Sequence, residues 1–196
     1  MEGAGEPSLI IEGSTSPHSF TLKPSHAKLL EEADIIFWVG EGIETFMERP
    51  LESIVKNAEV VEFMEIESIN KLKFREESIF EDHDDHDDHD GHDEHDDEHE
   101  GHDDHGHAHG EFDAHIWLDP MNAKEMVLEI AHELSHLDPA NEDKYNVNAK
   151  ATNLALDEMI DDISQNINKD AKFVVFHDAY QYFEERFNLR AAGALT

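Results

Sequence analysis

The chain contains no cysteine among its 196 residues. A disulfide framework, a thiolate metal site and a cysteine nucleophile are therefore excluded. Any chemistry of soft or borderline metal ions falls instead to the 16 histidines, because imidazole is a side chain that suits such ions.

Basic residues are scarce as well: 14 Lys and Arg stand against 48 Asp and Glu, which gives a formal net charge of −34. Phosphate binding draws on clustered Lys and Arg, and this charge would repel a polyanion. We therefore expect no nucleic-acid partner, and an anionic membrane surface is disfavoured for the same reason.

Long apolar runs are also missing. Residues 35–39 form one of the longest runs, far short of the roughly 20 residues that a membrane-spanning helix needs. Residues 1–6 have neither a basic start nor an apolar stretch. The sequence thus predicts no transmembrane segment and no signal peptide in this chain.

Short apolar runs alternate with helix-compatible stretches in the first part of the chain. The pattern predicts strands at residues 8–11, 35–39 and 60–63, a helix beginning at Pro24 and another over residues 43–55. Alternation at this spacing favours βαβ units with a largely parallel sheet. We therefore predict an α/β fold.

Residues 81–111 interrupt this order with a His/Asp-rich repeat, which cannot bury a core and predicts a disordered loop. A solvated charge run is the simplest interpretation, but histidine at nearly every third position favours metal capture. Each site would be weak, because disordered chain must be ordered to form it. The auxiliary weak ligands predicted in this metal-collecting loop are His83, His86, His89, His92, His95, His99, His102, His105, His107 and His109.

Order resumes after the repeat. Asp119 as N-cap and a proline at the first helical position predict a helix, and Asp138 with a following proline predicts the start of a longer one. Residues 172–176 predict another strand. A short helix should follow over residues 179–187, with Asp178 as its N-cap and an outer metal-site role as an alternative.

Two histidines stand just after predicted strands, His18 after residues 8–11 and His177 after residues 172–176, and His115 enters an apolar segment. Ligands of open α/β sheets bind at the carboxyl ends of strands, and neutral imidazole suits zinc. Spacing alone leaves open the alternative that each is a loop histidine bonded to backbone.

Four blocks carry a family resemblance: SPHSF at residues 16–20, ADIIFWVG at 33–40, DAHIWLDP at 113–120 and FHDAYQYF at 176–183. In this order, with a His/acidic insert between the second and third, they resemble the periplasmic zinc-binding (solute-binding) proteins of bacterial ABC-type zinc importers, the zinc uptake complex component A family. The resemblance implies two α/β lobes with parallel sheets and a long connecting helix. Most of the second lobe would be absent from this chain.

The same resemblance implies Zn²⁺ as the transported ligand, held by His18, His115 and His177 with Glu44 as a candidate additional ligand. It implies a periplasmic, non-catalytic monomer that delivers zinc to the membrane permease of an ABC transporter. Three histidines favour zinc over manganese, because harder oxygen ligands suit manganese.

This family plan divides the chain into five parts. We predict an N-terminal α/β lobe in residues 1–80, the metal-collecting loop in 81–111 and the rest of the lobe in 112–138. A long linking helix should occupy residues 139–169, and the start of a truncated C-terminal lobe residues 170–196.

Two alternatives remain open at this point. His132, Glu133 and His136 spell HExxH, the motif of a zinc metalloprotease in which two imidazoles bind zinc and the glutamate acts as general base. The second alternative is a metal buffer or chaperone that uses the His-rich loop alone. Such a buffer would have no need of His18, His115 or His177.

Overall fold

A computed structural model describes residues 1–13, 15–75 and 111–195 of the chain. The predicted metal-collecting loop therefore lies outside the described residues, apart from Glu111. The strands are β1 (Ile35–Trp38) and β2 (Glu59–Glu62), and the helices are α1 (Pro24–Glu32), α2 (Glu48–Ser53), α3 (Pro120–Leu137), α4 (Glu142–Asn166) and α5 (Gln181–Phe187). None of the described helices has the length and apolar character that a membrane crossing requires.

The two strands pair in parallel, as the alternation of strands and helices predicts. β1 is covered on both faces, which is the usual state of a strand in a parallel sheet. On one face, Ile36 and Trp38 pack with Leu30 of α1 and with Met47. On the other, Phe37 contacts the clusters that involve α3.

α3 begins where the sequence predicts, because the Asp119 carboxylate accepts a hydrogen bond from the amide of Met121 and Pro120 lies in the first turn. α4 follows the 3-10 turn Pro139–Asn141 and packs along α3. With 25 residues, α4 is about 37 Å long. The cluster buried between the two helices consists of Ala131, Leu134, Tyr145 and Ala149.

The strand predicted at residues 8–11 is wrong. Within the described part of the chain the sheet has two strands, and neither of them pairs with this segment. Ile10 packs against the cluster between α1 and α2, whereas Leu9 is 61% exposed. A short apolar run indicates burial of some side chains, but it does not reveal whether a strand edge is available to pair with it.

The strand predicted at residues 172–176 is reduced to one isolated parallel bridge between Val175 and Ala194. The helix that follows begins at Gln181, and its N-cap residue Tyr180 makes no side-chain cap hydrogen bond. The prediction of Asp178 as N-cap is therefore wrong, because the helix starts too late for that carboxylate to reach its first turn.

α5 packs the last part of the chain against the rest. Tyr182 is 1% exposed and shares a core cluster with Phe63, Ile69 and Ile116. The large apolar side chains that stay exposed in this part are Val174, Phe176, Tyr180 and Leu195. The division into lobes, including a second lobe beginning at residue 170, remains a prediction.

Candidate metal centre

His115 is the buried member of the predicted ligand set, with 8% of its surface exposed. It stands at the N-cap of the 3-10 turn Ile116–Leu118, which leads directly into α3. Asp113 lies beneath it and is itself 2% exposed. The Asp113 Oδ1 atom accepts hydrogen bonds from the His115 amide at 3.0 Å and from His115 Nδ1 at 2.6 Å.

This contact with Asp113 determines which nitrogen of His115 is free. A carboxylate acceptor holds the proton of the neutral ring on Nδ1, so Nε2 keeps its lone pair. The same pairing of a carboxylate with the outer nitrogen of a histidine orients many metal-binding imidazoles. His115 can therefore offer the Nε2 lone pair to a metal ion.

His18 reaches the same place from the 3-10 turn Pro17–Ser19, on the exposed side of the centre. Its Nε2 atom lies 3.3 Å from His115 Nε2. Partial burial lowers the pKa of His18, and positive charge on His115 or His177 lowers it further. His18 therefore gives up its proton to a metal ion more readily than a solvated histidine.

His177 completes the group from the segment between the Val175 bridge and α5. Its ring centroid lies 5.2 Å from that of His18 and 5.2 Å from that of His115. The His18 and His115 centroids are 5.3 Å apart. The three rings thus form a nearly equilateral triangle.

One ligand atom from each of His18, His115 and His177 lies within 4.8 Å of the other two. Two nitrogens that are each about 2.05 Å from a tetrahedral zinc ion are about 3.3 Å apart. The His18 and His115 nitrogens already have this separation, at 3.3 Å. The predicted trio is therefore brought together, and one pair of its nitrogens already has the separation of two ligands on a tetrahedral zinc ion.

Glu44 is turned toward the backbone at the end of β1. Its Oε2 accepts hydrogen bonds from the amides of Val39 at 2.7 Å and Gly40 at 3.3 Å. Burial raises the pKa of the Glu44 carboxyl, and these two donors oppose that rise. Among the described residues, the potential metal-binding group includes the three histidines and not Glu44. Its role as a ligand remains a prediction.

The HExxH residues lie on α3, where His132 and His136 are both exposed. His132 Nε2 is 3.7 Å from Glu133 Oε1. A metalloprotease needs a third protein ligand that converges on the two imidazoles. In the part of the chain that the structure describes, no further histidine or carboxylate joins this pair in a group that could hold a metal ion.

The ten loop histidines, from His83 to His109, lie outside the described residues. Their role as weak auxiliary ligands remains a prediction. Within the described residues, two charged side chains next to the candidate ligands escaped the sequence reasoning: Asp113 beside His115, and Arg75 near the residue that follows His177. The Asp-x-His spacing could have indicated the first, but only the three-dimensional structure indicates the second.

Comparison with known proteins settles the family. The family described as "Zinc-uptake complex component A periplasmic" matches residues 1–196. The chain belongs to this family. The high-affinity zinc uptake system protein ZnuA of Brucella abortus (strain 2308) is 44% identical over 208 residues, which cover 100% of this chain and 62% of that protein.

The protein of the same name from Paracoccus denitrificans (strain Pd 1222) is 38% identical over 201 residues, covering 100% of this chain and 61% of the relative. The chain therefore spans less than two thirds of the length of these ZnuA relatives.

Solved structures confirm the fold class. A crystal structure of ZnuA is similar with a TM-score of 0.70 at 24% identity, covering 95% of this chain and 60% of that one. The Zn(II)-bound ZnuA-like domain of Streptococcus pneumoniae AdcA gives a TM-score of 0.67 at 20% identity, covering 98% and 59%. The chain thus adopts the α/β fold of these proteins over the part of them that it matches.

Proposed function

We propose that this chain is the zinc-capturing component of an ABC-type importer, which binds Zn²⁺ and delivers it to a membrane permease. The observation that carries the proposal is the convergence of His18, His115 and His177 on one point. Relatives named for high-affinity zinc uptake support it, as does a structural neighbour described as a ZnuA deletion mutant with zinc bound.

The ligand set favours zinc as the cargo. Three neutral imidazoles suit a borderline ion such as Zn²⁺, whereas manganese sites use more carboxylate oxygen. The fourth position of a tetrahedral ion would be filled by water or by a carboxylate. An open position of this kind lets a recipient protein offer a competing ligand, so it suits release as well as capture.

We assign zinc as a transported ligand rather than as the cofactor of an enzyme. Capture and release require no nucleophile and no general base, and the exposed position of His18 gives the ion a direct path from solvent. Family membership supports the periplasm as the place of action. A monomer that meets its permease there is the simplest form of this function.

The test is a zinc titration of the full chain in competition with chelators of graded affinity. One tight site should stand above a background of weak ones. His18→Ala, His115→Ala and His177→Ala should each weaken the tight site by about 100-fold or more, since each removes one of the few bonds that share the binding free energy.

His132→Ala is the matched control, because it removes an exposed histidine outside the trio. The tight site should be unchanged in this variant. If the tight site survives all three substitutions in the trio and is lost in His132→Ala, then the HExxH residues are the site and the importer proposal fails.

A second candidate, a metal buffer, is favoured by the ten histidines between residues 82 and 109. It makes a different prediction in the same titration. A pure buffer would show several weak sites, no tight one, and no response to the substitutions at His18, His115 or His177.

A further inference from the structure

The two ends of the His/Asp-rich insert run side by side where they leave the folded body. Lys73 and Phe112 form an antiparallel bridge. The Asp113 amide donates to the Leu72 carbonyl at 2.8 Å, and the Phe74 amide donates to the Glu111 carbonyl at 3.3 Å. We call residues 71–75 and 111–113 the stem of the insert.

Side chains of α5 form hydrogen bonds with this stem. The Gln181 side-chain amide donates to the Lys73 carbonyl at 3.0 Å. The Tyr182 hydroxyl accepts from the Leu72 amide at 3.0 Å and donates to the Asp113 carbonyl at 2.5 Å. One buried phenol therefore links both strands of the stem, and Asp113 belongs at once to the stem and to the metal centre.

Arg75 adds an ionic connection that lies closer to the third ligand. Its guanidinium contacts Glu184 Oε1 through Nη2 at 3.1 Å and approaches Asp178 Oδ1 through Nη1 at 3.9 Å. The side chains of Arg75 and Glu184 are only 21% and 5% exposed. Asp178 is the residue immediately after His177.

Backbone hydrogen bonds hold the chain on both sides of His177. Its upstream neighbour Val175 is held by one bridge to Ala194, and the Ala179 amide donates to the His177 carbonyl at 2.8 Å. The Arg75 guanidinium lies within ion-pair distance of both Glu184 and Asp178, so its charge attracts the residue that follows His177 toward α5.

We propose that Arg75 is a positioning residue for His177, one that acts through Asp178 and Glu184 to keep the third imidazole in reach of His18 and His115. This inference rests on the proposed zinc site. Arginine suits the role, because its planar guanidinium can face two carboxylates at once, whereas a lysine ammonium is a point charge on a flexible stem.

The chain offers a close control in Arg186. Its guanidinium pairs with Asp119 through two contacts, Nε to Oδ1 at 2.7 Å and Nη2 to Oδ2 at 2.6 Å. Asp119, like Glu184, is buried, with 2% and 3% of their surfaces exposed. Arg186→Ala therefore loosens the same helix and leaves a buried carboxylate unpaired, without touching the neighbour of His177.

The experiment compares Arg75→Ala, Arg75→Lys, Arg186→Ala and His177→Ala in the full chain. Three quantities are measured: the zinc dissociation constant of the tight site by chelator competition, the visible absorption of Co²⁺ bound there, and the thermal unfolding of the metal-free chain. The absorption of Co²⁺ depends on the number and kind of its ligands, which a general loss of stability would not change.

Arg75→Ala should weaken zinc binding by about tenfold or more, the lower range for residues that orient a ligand. Its Co²⁺ spectrum should shift toward that of His177→Ala. Arg75→Lys should recover part of the affinity. Arg186→Ala should keep the wild-type spectrum and affinity even where its unfolding temperature falls by as much as that of Arg75→Ala.

Should Arg75→Ala fail to fold, the double variant Arg75→Met, Glu184→Gln removes both charges of the buried pair while keeping their volume. It should show the same change in affinity and spectrum. A folded Arg75 variant with wild-type affinity and spectrum overturns the inference, and so does an equal loss in Arg186→Ala. A tight site that ignores His177→Ala would instead refute the proposed zinc site itself.

Discussion

Asp113 orients the imidazole of His115. It is buried, it accepts the Nδ1 proton of His115, and its backbone atoms contact Leu72 and Tyr182. Its backbone contacts would survive a change of side chain, so its effect on the imidazole can be tested separately from its place in the stem.

We predict that Asp113→Asn weakens zinc binding by about 10- to 100-fold. A neutral amide stabilises the bound imidazole less, and its NH₂ group can turn to His115 Nδ1 and favour the tautomer whose Nε2 carries the proton. Chelator competition measures the effect, with the exposed Asp143→Asn as control. Unchanged affinity in Asp113→Asn would show that packing alone orients His115.

Glu62 is a second carboxylate with an unusual environment. Burial, followed by the charges of Glu65, Glu41 and Glu44, raises its pKa to about 7. The carboxylate also explains the glycine beside it: Gly40 has φ +145°, and a Cβ there would lie 2.6 Å from Glu62 Oε1. The end of β2 thus packs a carboxyl group directly against the turn that follows β1.

The raised pKa of Glu62 makes the folded chain less stable as the pH rises. Between about pH 4.5 and about pH 7 the folded chain holds a proton that the unfolded chain has released, so stability contributed by this group falls as pH rises. We predict that Glu62→Gln raises the unfolding temperature at about pH 8 and flattens the decline through this window. Thermal unfolding of Glu62→Gln is measured across this pH range and compared with that of Glu67→Gln, a variant at an exposed position. Equal unfolding temperatures of the two variants would contradict the prediction.

At the scale of elements, the stem separates the insert from the body. The stem is held by the bridge between Lys73 and Phe112 and by the hydrogen bonds of the Tyr182 hydroxyl. These contacts involve no residue from 76 to 110. The body can therefore keep its contacts when the insert is shortened.

We predict that deletion of residues 82–109 abolishes the weak zinc sites and leaves the tight one. The reason is that all ten histidines of the insert are removed, while His18, His115 and His177 remain on the body. Zinc titration and thermal unfolding of the deletion variant measure the two effects. An unfolded body, or loss of the tight site, would show that the insert is part of the centre.

Local sequence patterns predicted the elements whose signals are local. The proline and aspartate at the start of α3, the periodicity of α4 and the apolar run of β1 each specify a conformation within a few residues. The strands predicted at residues 8–11 and 172–176 failed for the opposite reason. A strand exists only where a partner edge is present, and that partner is distant in sequence.

At the scale of the whole molecule, the candidate site was predicted from resemblance and not from spacing. Each of His18, His115 and His177 alone could have been an ordinary loop histidine, and the structure brings the three together. Asp113 was within reach of the same reasoning, since it lies two residues from His115. Arg75 was not, because nothing in the sequence around it indicates a contact with residues 178 and 184.

The wide separation of the three histidines along the chain has a consequence for biosynthesis. His18 and His115 are 97 positions apart, and His177 comes later still. The three imidazoles can therefore come together only after the nascent polypeptide has been made as far as His177 and the segments that carry them have folded against one another. A metal ion held by all three imidazoles would join early and late segments of the chain, so a site of this kind is loaded after folding rather than during synthesis.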